Sequence, residues 1–169
     1  MEAYFKPLPA KSSVFTSLYY AVLNAKPEDW LPYYNFHALP IPETTLMQDP
    51  ILRQLREKRE FRGGVIALPP DTCYTWHVDT DRSAAINMLL YDNGSSRCLF
   101  APQQFDVVTP FVELKYAPAT YYAFNTKALH MVLNFDEPRF MFSVEFTGKD
   151  RGLTYDELCS DLEGLDYGC

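Results

Sequence analysis

Apolar positions recur with different periods along the chain and divide it into three stretches. Residues 1–62 are mixed and interrupted by prolines. Ser12 or Ser13 stands where a side-chain cap would open a short helix running to about Asn24. Pro27, Pro32, Pro40 and Pro42 then break the chain into extended or turning pieces, because proline fixes its own φ and restricts the residue before it. From Pro42 to about Arg62 the pattern predicts helix. Leu46, Ile51, Leu52 and Leu55 form its apolar stripe, Pro50 is a point of division, and Gly63-Gly64 is the stop.

Residues 65–147 switch to short apolar or alternating runs separated by turn residues. The runs are VIALP, TCYTWHV, SAAINMLLY, RCLFA, FVELKY, TYYAF, ALHMVLNF and RFMFSVEF. Eight such runs with no helix-length segment between them predict a mainly β fold, a sandwich, a jelly roll or a barrel. In residues 148–169, Thr154 and Glu157 make a capping box. A short helix follows to about Leu162, and Gly164 ends it.

The chain has 169 residues, which fits one domain, 1–169. In that reading 1–62 is a helical or irregular cover, 63–147 the core and 148–169 a tail. An apolar share of 47% is enough to bury a core, and the formal charge of -7 disfavours nucleic acid as a partner. Arg53, Arg56, Lys58, Arg59 and Arg62 are interleaved with Glu57 and Glu60, so they read as a solvated helix face. Cys73, Cys98, Cys159 and Cys169 include no CxxC pair and read as reduced thiols. No secretory signal or membrane-length apolar run is visible, so the expectation is a cytoplasmic protein without a membrane partner. His37 has no partner in sequence and reads as a structural or surface histidine. The face of Leu129, Met131 and Leu133 needs a cover, either the C-terminal helix or a second subunit, which leaves monomer and homodimer open.

Trp76-His77-Val78-Asp79 is the sharpest local feature. Residues i and i+2 of an extended chain face the same way, so His77 and Asp79 can offer two ligands to one metal. His130, in a later run, supplies a third. Two histidines and a carboxylate on one face of an octahedron form the facial triad of non-haem iron(II) oxygenases, with three positions left open. Arg139 opens the last run. Its planar fork suits a buried carboxylate such as the far end of 2-oxoglutarate. Alternation puts Phe140, Phe142, Val144 and Phe146 on one face, for burial under the N-terminal helices. Arg139, Met141, Ser143 and Glu145 share the other, which then lines a polar cavity.

In WHVD, in FNTKALHMVLNF and in the RFMFS that follows, residues 63–147 resemble the 2-oxoglutarate/iron(II) dioxygenase superfamily, in particular its small bacterial and phage members. The resemblance implies a double-stranded β-helix, a cupin-like jelly roll of two facing sheets. His77, Asp79 and His130 would sit on one sheet and hold iron(II). Arg139 would sit on the other and anchor 2-oxoglutarate. Asn87 and Tyr91 are candidates for a second co-substrate contact, and Arg82, in the order HxDxxR, for co-substrate or substrate. Many members carry serine two residues after the arginine. This chain has Met141 there, and its serine, Ser143, comes two later. The implied activity is hydroxylation of a protein side chain or a small polar metabolite, with release of succinate and carbon dioxide. The alternatives are a metal cupin with a different reaction and a non-catalytic jelly-roll binding module.

Overall fold

The computed structural model describes residues 4–102 and 110–168, so Cys169 lies outside the described residues. All eight predicted runs form strands. They are β4 (Phe61–Leu68), β5 (Thr72–His77), β6 (Ala84–Tyr91), β7 (Arg97–Ala101), β8 (Val112–Glu113), β9 (Thr120–Asn125), β10 (Leu129–Asn134) and β11 (Arg139–Phe146). Three strands precede them, within the stretch expected to be a helical or irregular cover: β1 (Phe5–Lys11), β2 (Leu31–Tyr33) and β3 (Phe36–Pro40). Two antiparallel sheets result. The larger runs β1-β9-β6-β11-β4-β3-β2 and the smaller β5-β10-β7-β8. β1 and β2 carry prolines that mask a strand pattern, and both lie at the edges of the large sheet. There a missing N–H costs no ladder bond.

Four helices, α1 (Phe15–Asn24), α2 (Glu43–Leu46), α3 (Pro50–Lys58) and α4 (Tyr155–Glu163), pack on one face of the large sheet and on one another. The first core lies there, with Leu18, Leu52, Phe142 and Leu158 fully buried. The second core lies between the sheets, around Phe100, Phe124 and Val132. β6 and β9 are therefore covered on both faces, which explains their nearly continuous apolar sequences. β10 alternates buried and half-buried positions. α4 packs on α3, β6 and β9, so it does not cover the half-buried Leu129, Met131 and Leu133 of the small sheet. No described helix is long and apolar enough to cross a membrane.

Two local expectations are corrected. Neither Ser12 nor Ser13 caps α1 with its side chain; Val14 holds the N-cap position. Ser12 instead donates to Asp49, a fully buried carboxylate that also accepts from the Tyr121 hydroxyl and the Ser13 amide. The other oxygen of Asp49 caps α3 through the Ile51 and Leu52 amides. One acid thus ties together the entries to α1 and α3 and strand β9.

Residues 42–62 are not one helical stretch. They form two helices and the start of β4, and Gly63-Gly64 lies inside that strand rather than ending a helix. The glycines are required by close packing. A Cβ at Gly63 would stand 2.9 Å from both Leu46 Cδ1 and the Phe142 ring, and one at Gly64 3.2 Å from the Leu39 carbonyl. The capping box of α4 forms as predicted, and Gly164 ends that helix.

Candidate metal centre

His77 ends β5 and His130 lies opposite it on β10, as cross-strand partners. Between Tyr74↔Val132 and His77↔His130 the register shifts by one residue on β5. A bulge of this kind re-aims the residue that follows it. Here it turns His77 toward His130, with ring centroids 4.2 Å apart.

The polarity of both imidazoles is set by the backbone. His77 Nδ1 lies 2.6 Å from the Thr75 carbonyl, and His130 Nδ1 lies 2.8 Å from the Ala128 carbonyl. A carbonyl only accepts, so each Nδ1 carries the proton and each neutral ring leaves Nε2 with a free lone pair. Both Nε2 atoms face Asp79 Oδ1, at 3.6 and 3.8 Å. The three candidate ligand atoms lie within 4.8 Å of one another, close enough to share one cation. Burial pushes the His130 imidazole down to about 4, partly opposed by its bond to Ala128.

The loop carrying Asp79 is pinned by the FNTK segment. The Asp79 amide donates to the Thr126 carbonyl, the Thr126 hydroxyl to the Arg82 carbonyl, and Lys127 Nζ to the Asp79 carbonyl. Asn134, three residues beyond Met131, donates to the Leu68, Pro69 and Glu137 carbonyls and so holds the loops at the far end of β10.

The triad opens into a cavity of about 240 Å³ between the sheets. Arg139, on the opposite sheet, lines it and is only 3% exposed. Its guanidinium donates to Ser96 Oγ at 3.1 Å, lies 3.8 Å from Met141 Sδ and sits over the Tyr116 ring. Among the described residues it has no carboxylate partner. Asn87 also lines the cavity, buried, with an Oδ1 that has no partner among the described residues.

Two sequence candidates fall elsewhere. Tyr91 is exposed and lies outside the cavity, because the β6–β11 register shifts between Phe140 and Met141. That shift pairs Tyr91 with Phe140 and takes it off the face of Asn87 and Arg139. Ser143 is buried two pleat repeats along the strand from Arg139, and its hydroxyl accepts from Arg82 Nη1 at 3.3 Å. Arg82 joins the triad directly, its Nε donating to Asp79 Oδ2 at 2.5 Å. His37 is exposed on β3, and Cys73, Cys98 and Cys159 are free thiols. Ser96 and Tyr116, which flank Arg139, carried no signal in the sequence: one is a turn serine, the other one tyrosine among twelve.

Solved structures with this architecture are numerous. A Pseudomonas putida prolyl-4-hydroxylase matches with a TM-score of 0.63 and 15% identity over 86% of this chain and 93% of its own. A 2OG-Fe(II) oxygenase family protein from Burkholderia pseudomallei matches at 0.63 and 14%, over 91% and 88%. The fold is that of the 2OG-Fe(II) oxygenases. A Trichoplax adhaerens prolyl hydroxylase, solved with a hypoxia inducible factor peptide fragment, matches at 0.64 and 12%, over 87% and 84%. No protein-family model matches the chain, and no curated protein does. On this oxygenase fold the chain places an intact His-x-Asp…His triad on the small sheet and Arg139 on the large one.

Proposed function

We propose that the protein is an iron(II)- and 2-oxoglutarate-dependent oxygenase that hydroxylates a small polar metabolite or a protein side chain. The observation that carries this reading is Arg139, a buried guanidinium facing the metal cavity with no carboxylate among the described residues to neutralise it. A buried cation without an anion is costly, so the site fits a ligand that brings one. The donor set of two imidazoles and one carboxylate fits iron(II).

When bound, iron(II) and 2-oxoglutarate supply oxygen activation coupled to decarboxylation. The protein's part is positioning and exclusion. His77 and His130 present Nε2 because their Nδ1 protons are committed to carbonyls. Asp79 offers Oδ1 because Oδ2 is held by Arg82. Arg139, steadied by Ser96, would hold the far carboxylate of the co-substrate. Asn87, opposite Ser143 on the neighbouring strand, lines the same cavity. Leu68, Phe124 and Val132 make the cavity walls apolar, which keeps water from the reacting atoms.

Two assays test the reading. Calorimetry should show 2-oxoglutarate binding to the manganese(II)-loaded protein, and Arg139→Ala should weaken it by about 100-fold, the worth of two charge-assisted hydrogen bonds. Succinate should form from 2-oxoglutarate only with iron(II) present. Binding that ignores Arg139→Ala, or metal binding with no 2-oxoglutarate consumption, overturns the proposal in favour of another metal cupin or a binding module.

A further inference from the structure

A second cavity, of about 300 Å³, adjoins the metal cavity, and the two share Tyr33, Ile66, Arg82 and Glu145 as a common wall. It lies beneath the β2–β3 hairpin, with Leu31, Pro32, Ala38 and Pro40 as apolar walls. Its ionic groups are unequally matched. Glu145 is already paired with Arg62 at 2.8 Å and accepts from the Tyr33 hydroxyl at 3.3 Å. Arg82 spans the two cavities. Its Nε holds Asp79, its Nη1 donates to Ser143, and its Nη2 donates no hydrogen bond among the described residues.

Among the described residues, the only anion paired with Arg82 is therefore the acid proposed to ligate the metal. Without metal, Asp79 and Arg82 neutralise each other. With a divalent cation on Oδ1, the same carboxylate serves two cations. The two carboxylates of 2-oxoglutarate offset Arg139 and one charge of the metal, and Asp79 offsets the other. The charge of Arg82 is left over, in a wall little exposed to solvent. A charge in that position favours an anionic neighbour.

Resting on the oxygenase reading, we propose that this second cavity is the primary-substrate site and that the substrate is a small organic acid. Its anionic group is read by the outer edge of Arg82, and its apolar body lies against Leu31, Ala38 and Pro40. This arrangement brings a C–H bond near the anionic group to the open side of the triad. Because Arg82 and the metal draw on one carboxylate, acid binding and metal binding are linked, and each strengthens the other.

The test uses the full chain with N-oxalylglycine saturating the co-substrate site, with and without manganese(II). A panel of N-acetylated amino acids is titrated by calorimetry, each as free acid and as primary amide. Members that bind should do so at least tenfold more tightly as acids, and more tightly with manganese(II) than without it. Arg82→Gln should abolish the preference. If that variant loses manganese(II) through Asp79, Ala38→Trp decides: it fills the cavity and should abolish acid binding while manganese(II) and N-oxalylglycine still bind. Equal binding of acids and amides, an unchanged preference in Arg82→Gln, acid binding that survives Ala38→Trp, or no binding by any member overturns the proposal. Failure of manganese(II) and N-oxalylglycine themselves to bind is separately visible and counts against the oxygenase reading instead.

Discussion

His77 and His130 are prepared as ligands by carbonyls two residues behind them, which fix both the ring direction and the tautomer. Removing one ligand should therefore cost more than loss of an outer partner, which is worth about 10–100-fold. His130→Ala is expected to lower manganese(II) affinity by about 100-fold or more in a calorimetric titration. An affinity unchanged by the substitution would remove His130 from the site. The lowered His130 pKa also gives a pH dependence with a definite sign. Its folded value, about 4, lies below the ordinary 6.5. Between those values the unfolded chain holds a proton that the native state does not, so stability is full above the upper value and declines as pH falls. For the metal-free protein the loss between pH 6.5 and 5 amounts to up to about 2 kcal/mol. Urea unfolding at the two pH values should show this loss, and His130→Gln should reduce it.

At the scale of elements, packing decides what local pattern leaves ambiguous. Gly63-Gly64 after an apolar stripe reads as a helix stop, yet the pair sits in β4 because Leu46 and Phe142 fill the space of a side chain. Gly63→Ala is expected to destabilise the protein by about 1–3 kcal/mol, the usual range for overpacking. A denaturation midpoint equal to that of the native sequence would contradict the crowding. The eight central strands are legible because each is apolar or alternating over its length. β1, β2 and β3 are not, since their prolines break the pattern and are tolerated only by edge placement or a strand end. The position of Tyr91 is illegible for another reason: a register shift reverses its face, and no sequence feature marks it. Asp49 was equally hidden. Its bonds to Ser12 and Tyr121 exist only once the helices meet β9.

For the whole molecule, the site spans two sheets, so ligands that bridge them should stabilise the fold as a unit. Saturation at about 100 times the dissociation constant contributes about 2.7 kcal/mol. For a chain of this length that raises Tm by roughly 5–10 °C. Manganese(II) with N-oxalylglycine is expected to give such a shift in a thermal melt, and His130→Ala to abolish it. The order His-x-Asp, His, Arg was readable as a motif, and alternation places His130 and Arg139 inward; the bulge that turns His77 and the loop that carries Asp79 were not readable. The partnership of Arg82 with Asp79 and Ser143, and the cavity behind it, depends on how β11 and the loop after β5 meet across space, which spacing alone does not encode. A crystal structure of the protein soaked with manganese(II) and N-oxalylglycine is the decisive measurement. Anomalous density should be bonded to His77 Nε2, His130 Nε2 and Asp79 Oδ1, with the far carboxylate of the analogue on Arg139. Metal bound elsewhere, or an analogue whose carboxylate leaves Arg139 unpaired, would contradict the proposed site.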